Sequence, residues 1–281
     1  MIWTLPGLLL VALVGTLGET LWWWYTWHKQ SYQASPTHGY WTKAVVFLTG
    51  ISNYASVTLQ AEQIEFLQAI SDRYPVDMLL KQPFPYEDLT AEKFAQWRCL
   101  GLNEPSIWIT SLHNFWQTIL LTWFEKTYGA GVGRCIINRI GLPLTPHNST
   151  LILICGSAGA AYAVAAAPTL KLLKVRIIIV AYGGVFGSAK GFDSVDQFFQ
   201  LTSEKDEWAR LGNLALIGLG LFKGALRKAQ QENRFSLHYI GKHKHMEYLS
   251  NRDDELNGKT YRDLTLDATL SLPIWQDGFE V

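Results

Sequence analysis

The chain has 281 residues, and its 24 basic and 24 acidic side chains cancel, which excludes a nucleic-acid binder that works by neutralising phosphates. Apolar residues make up 48% and charged ones 17%, which excludes a disordered chain and suits one large α/β domain or two small ones. Three scattered cysteines (Cys99, Cys135, Cys155) exclude a disulfide framework or a CxxC zinc site and fit a reducing compartment.

Residues 2–27 carry a single charge, Glu19, and five of the twelve tryptophans. Ile2 to Leu17 is an apolar run, and LWWWYTW (21–27) follows it. A membrane span needs about 20 apolar residues, and clustered Trp and Tyr suit the membrane–water interface. The stretch reads as a single-pass N-terminal anchor over 1–28. The rival readings are a cleaved signal peptide, which lacks its basic leader here, and a buried N-terminal helix. Lys29 and Lys43 follow the apolar run, so the positive-inside bias places the following domain in the cytoplasm. Residues 29–40 are turn-rich and polar and read as a linker; residues 41–281 read as the folded body.

In the body, strands and helices alternate. Strands are expected at Ala44–Thr49, Val76–Lys81, Leu151–Cys155, Val175–Ala181, Val195–Thr202 and Phe235–Ile240. Helices are expected at Val57–Tyr74, Thr90–Leu100, Ser106–Lys126, Gly131–Ile140 and after Gly159. LILIC (151–155) and VRIIIVA (175–181) are apolar without alternation, as central strands buried on both faces should be. The expected fold class is α/β, a mostly parallel sheet with helices on both faces, plus the N-terminal transmembrane helix.

The sharpest chemical signal is Cys155-Gly156-Ser157-Ala158-Gly159, between a buried strand and a helix. A nucleophile elbow sits at such a place: small residues, here Gly156 and Gly159, allow a turn tight enough to expose the serine hydroxyl. The usual first glycine is replaced by Cys155. Enzymes with this elbow order their residues as Ser, Asp or Glu, then His. Ser203-Glu204-Lys205-Asp206 follows the fifth expected strand, and Asp206 is the first choice for the acid, ahead of Glu204, Asp193 and Asp196. Gly241-Lys242-His243-Lys244-His245 follows the sixth, with His245 the preferred base and His243 the alternative. The oxyanion would be held by the Ala158 N–H and by an N–H after the first strand, from Ile51, with Ser52 and Asn53 nearby.

The runs VVFLTGIS (45–52), PFPYE (83–87), SLHNFWQ (111–117), LILICGSAGAAYAVAAAPTLK (151–171), YGGVFGS (182–188) and SEKD (203–206) resemble uncharacterised bacterial α/β-hydrolases common in cyanobacteria and actinobacteria. The resemblance covers about residues 44–250. It implies a serine-hydrolase fold with Ser157, Asp206 and a histidine near 245 in the triad positions, and it implies no particular substrate.

Competing chemistries find less support. His243, His245 and Glu247 lack the further ligands of a metal site. The glycines at 129–133 and 218–220 do not follow a strand in a dinucleotide-binding register. No cofactor and no metal is therefore expected. The aromatic-rich stretch Ile107–Phe124 and the apolar stretch Asn213–Leu226 suit a core helix or a pocket wall beside the serine. Together with the anchor they point to a membrane-lipid partner and to a small-molecule or lipid ester as substrate. The alternative is the same fold without catalysis, acting as a membrane-bound interaction or assembly module.

Overall fold

The computed structural model describes residues 39–50, 59–81, 107–187, 190–219, 224–254 and 258–276, together with Gly7, Leu10, 13–18, 20–22 and 24–25. The expected helix at Thr90–Leu100, the run 83–87, and Ile51, Ser52 and Asn53 lie outside the described residues, as do 29–38 of the expected linker.

Six parallel strands form the main sheet: β2 (Lys43–Leu48), β3 (Met78–Leu80), β5 (Thr150–Gly156), β6 (Arg176–Tyr182), β7 (Gln197–Thr202) and β8 (Phe235–Tyr239), in the order β3-β2-β5-β6-β7-β8. A small parallel pair, β1 (Tyr40–Trp41) with β4 (Leu142–Pro143), stands beside it, so the folded body already includes Tyr40. The helices are α1 (Ala61–Arg73), α2 (Ile107–Trp123), α3 (Tyr128–Ile140), α4 (Gly159–Leu170), α5 (Glu207–Leu219), α6 (Gly224–Gln231) and α7 (Tyr261–Leu270).

Both faces of the sheet are covered, which explains why β5 and β6 lack polar alternation. Val46, Leu48, Leu151, Leu153 and Ile177 face α3, α4 and α6. Val45, Phe47, Ile152, Ile154 and Ile178 face Phe66, Leu67 and Ile70 of α1 and the C-terminal Ile274 and Trp275. The glycines at 129–133 lie inside α3 and are packing residues: a Cβ on Gly129 would stand 2.1 Å from the Ala165 carbonyl oxygen, and one on Gly133 2.6 Å from Thr169 Cβ. Two backbones thus touch at the α3–α4 contact.

Several boundaries differ from the expected ones. The strand expected from Val195 starts at Gln197, because Asp196 accepts the Ile177 N–H at 2.7 Å and pairs with Lys171, ending the preceding turn. Of the apolar stretch 213–226, residues 213–219 belong to α5 and 224–226 to α6. Helix α7 has no counterpart in the expected set. Its start is marked by a capping box in which Thr260 accepts the Asp263 N–H and the Asp263 side chain accepts the Thr260 N–H.

The described part of the N-terminal segment is helical and packs on the body. Trp24 stacks on Tyr128 with centroids 4.3 Å apart, Thr20 is buried, and the Trp116 indole N–H donates to the Leu13 carbonyl and to Thr16 Oγ1 at 3.2 Å each. Leu10, Val14, Leu21 and Tyr25 stay exposed. Among the described residues no helix is long and apolar enough to cross a membrane.

Candidate active site

The chain leaves β2 outward to β3, then returns to place β5 on the other side of β2. The carboxyl ends of β2 and β5 therefore frame a topological switch point, the place where open parallel sheets leave a crevice for a ligand. Gly50 follows β2 and Ser157 follows β5.

Ser157 is half-buried and adopts φ +49°, the left-handed region that a non-glycine residue enters at a cost. Its surroundings hold it there. Its N–H donates to the Tyr182 carbonyl at 3.2 Å, and its carbonyl accepts the Val185 N–H at 2.9 Å. The neighbouring glycines leave no room for a Cβ: one on Gly156 would stand 2.6 Å from the Tyr182 ring, one on Gly159 2.3 Å from the Leu48 carbonyl oxygen, and one on Gly50 2.4 Å from the Gly156 carbonyl oxygen. Cys155, at the position where a glycine is usual, is fully buried between sheet and helix with its thiol near the Val180 carbonyl, so the turn accommodates it. Burial pushes that thiol far up, which leaves it inert.

The turn aims Ser157 Oγ at His245, 2.7 Å from Nε2. His245 begins a 3-10 turn (His245–Glu247) after β8, and its side chain is only 10% exposed. On the other side of the ring, Nδ1 lies 3.0 Å from each oxygen of Asp206. Asp206 is fully buried and caps α5, accepting the Ala209 N–H at 2.9 Å. Burial on its own would raise the Asp206 carboxyl. Hydrogen bonds and charge from His245, the Ala209 N–H and the Tyr248 hydroxyl outweigh it, and the group sits below the ordinary carboxylate range. An ionised acid thus holds the histidine with its Nδ1 protonated and its Nε2 open toward the serine. Such an array can pass the serine proton to an imidazole and stabilise the resulting cation.

Ala158 follows Ser157 directly and stands at the N-cap of α4, where backbone N–H groups are available to an anion. Ile51 lies outside the described residues. Glu204 is engaged elsewhere, in an exposed ion pair with Lys242 at 3.1 Å. Asp193 pairs with Lys228, and Asp196 with Lys171. Among the described residues no group of three or more His, Cys, Asp and Glu side chains is arranged to hold a metal.

His243 is not brought to the serine. It is buried at 1% exposure, packed edge-on to the Tyr248 ring at 4.3 Å and against Tyr261 at 4.8 Å. Its main chain is tied to the Ser203 hydroxyl, while neither ring nitrogen has a hydrogen-bond partner among the described residues. Burial lowers its pKa, and the opposing charges of Asp206, Glu247 and Asp254 do not compensate. The unfolded chain therefore takes up a proton near pH 6.5 that the folded chain refuses. His243 leaves stability intact above that pH and removes it as the pH falls below, by at most about 1.4 kcal/mol per pH unit. His243→Leu, which keeps the pocket apolar, should lose less stability than the parent between pH 7 and pH 5.5 in thermal unfolding. Equal losses would contradict this origin.

Tyr248 is the site residue that sequence reading did not find. It is buried, donates its hydroxyl to Asp206 Oδ2 at 2.8 Å, and accepts the Ser203 N–H at 2.9 Å. No short motif marks it; only its place three residues after His245 connects it to the site.

No known family profile matches the sequence, and no curated protein matches it either. The resemblance seen in residues 44–250 thus has no match at family level. Solved structures similar to the chain include a dienelactone hydrolase from Anabaena variabilis, at 16% identity over 84% of this chain and 85% of that one, with a TM-score of 0.41. Another is a poly(3-hydroxybutyrate) depolymerase from Bordetella parapertussis, at 12% identity over 81% of this chain and 87% of that one, with a TM-score of 0.36.

Proposed function

We propose that the chain is a membrane-associated serine hydrolase that cleaves ester or lipid acyl bonds. The observation that carries this reading is Ser157, held at φ +49° with its hydroxyl 2.7 Å from His245 Nε2, while the buried Asp206 grips the far side of the same ring. His147, Lys174 and Asn233 also adopt positive φ, so the strain alone does not carry the reading; its conjunction with an oriented imidazole and a buried carboxylate at the mouth of a parallel sheet supports it.

In this reaction Ser157 Oγ attacks the acyl carbon and its proton passes to His245 Nε2. The Ala158 and Ile51 N–H groups would hold the oxyanion of the tetrahedral intermediate. His245 then gives the proton to the departing alcohol, leaving the acyl group on Ser157. A water attacks next, its proton again taken by His245, and the acid is released as Ser157 is restored. Asp206 keeps its charge throughout and orients the ring.

Lipid enters the proposal through the exposed apolar surface. Trp208, Leu211 and Leu214 of α5 are 62–71% exposed, and Met246, beside His245, is 67% exposed. Leu10, Val14, Leu21 and Tyr25 form a second exposed apolar set on the N-terminal segment, whose sequence suits a bilayer anchor with the body on the cytoplasmic side. The test is turnover of p-nitrophenyl esters from two to sixteen carbons by detergent-purified protein, with and without phospholipid vesicles. The proposal expects turnover that rises with chain length and with added vesicles. Hydrolysis of short soluble esters with indifference to lipid would overturn the lipid assignment. Absence of turnover across the whole series in folded protein would favour the non-catalytic module.

A further inference from the structure

Tyr248 stands out because its buried phenol joins the acid of the proposed triad to the main chain of Ser203. We infer that Tyr248 is a positioning residue: its hydroxyl locks the carboxylate plane of Asp206 and thereby sets the basicity of His245. This inference rests on the serine-hydrolase reading and concerns the same site.

The direction of the hydrogen bonds is settled by what surrounds the phenol. The Ser203 N–H donates to Tyr248 Oη at 2.9 Å, so the phenol's own proton is left to donate, and Asp206 Oδ2 accepts it at 2.8 Å. The phenol keeps that proton, since burial and the neighbouring Asp206 charge both raise its pKa. The ring has little room to turn. Its Cε2 lies 2.5 Å from where a Gly183 Cβ would be, and Gly183 adopts φ +56° there. The His243 ring meets it edge-on, Tyr182 lies 5.9 Å away, and the Tyr248 carbonyl accepts the Thr265 hydroxyl at 2.7 Å.

Each oxygen of Asp206 therefore has one donor of its own, the Ala209 N–H on Oδ1 and the Tyr248 O–H on Oδ2. His245 Nδ1 sits 3.0 Å from both. These two donors, one on each oxygen, restrain the rotation of the carboxylate. They also draw charge away from the oxygens that face Nδ1, which restrains the imidazolium from becoming too stable. Without the phenol proton, Asp206 loses a donor and regains rotation about its terminal bond. Its charge then acts more fully on His245, and the imidazole becomes more basic.

The test is Tyr248→Phe in the full chain, read in two ways. Histidine side-chain NMR follows the titration of His245 and works whether or not the protein turns anything over. The second readout is the rate of fluorophosphonate labelling against pH. The inference expects the His245 midpoint to rise by about half a pH unit or more. It expects the acid limb of labelling to rise with it, and the plateau rate to fall roughly tenfold, as for loss of one hydrogen bond to a charged group. His243→Leu, which disturbs the same pocket but keeps the phenol, should leave the His245 midpoint where it is in the parent. An unchanged midpoint in Tyr248→Phe, whatever its melting temperature, overturns the inference. A shifted midpoint in Tyr248→Phe, beside a folded parent that does not label, supports the positioning role and counts against the hydrolase reading instead.

Discussion

Asp206→Asn should lower the rate of acyl transfer by roughly 10⁴-fold while leaving the fold in place. The two effects separate because Asp206 has two jobs. It caps α5 through the Ala209 N–H, and asparagine caps a helix about as well as aspartate. The single asparagine oxygen stays with the Ala209 N–H, and the Tyr248 hydroxyl loses its acceptor. What asparagine cannot do is present acceptors on both sides of Nδ1. Its NH₂ group, turned toward His245, forces Nδ1 to accept and moves the imidazole proton to Nε2. Nε2 then donates toward Ser157 Oγ, 2.7 Å away, instead of accepting its proton. The check is ester turnover beside a thermal melt. A variant within tenfold of the parent rate would contradict the assignment of Asp206.

His245→Ala should slow fluorophosphonate labelling by about 10²–10⁴-fold, the usual contribution of a positioned base. His243→Leu should label within a few-fold of the parent. The contrast follows from placement. The His245 ring bridges Ser157 and Asp206, whereas the His243 ring lies among Tyr248 and Tyr261 with both nitrogens unpartnered among the described residues. Labelling that survives loss of His245 and fails on loss of His243, in folded proteins, would reverse the two roles.

The sheet was legible because burial on both faces writes itself into composition. LILIC (151–155) and IIIVA (177–181) are continuous apolar runs, and each proposed site residue follows one of the strands closely. The elbow was legible for a steric reason, since only very small residues fit at 156 and 159. The sequence favours His245 over His243 on position alone, because both lie in one lysine-rich run. The fold brings His245 Nε2 to Ser157 Oγ and buries the His243 ring against Tyr248 and Tyr261. Tyr248 was hidden because its role depends on contacts with Asp206 and Ser203, more than 40 positions away. The start of α7 is written in the sequence as Thr260-x-x-Asp263, a capping signal. The N-terminal segment shows the limit of composition most clearly. Its apolarity reads as an anchor, while the contacts of Trp24 with Tyr128 and of Trp116 with Leu13 and Thr16 are tertiary and leave no periodic trace.

The central claim is that Ser157 is an activated nucleophile, and its most direct test is covalent. Detergent-purified parent protein is treated with a fluorophosphonate, digested, and the modified peptide sequenced by mass spectrometry, beside Ser157→Ala. The account predicts a single adduct, on Ser157, in the parent and none in the variant. A folded parent that carries no adduct, or one whose adduct persists in Ser157→Ala, would contradict it.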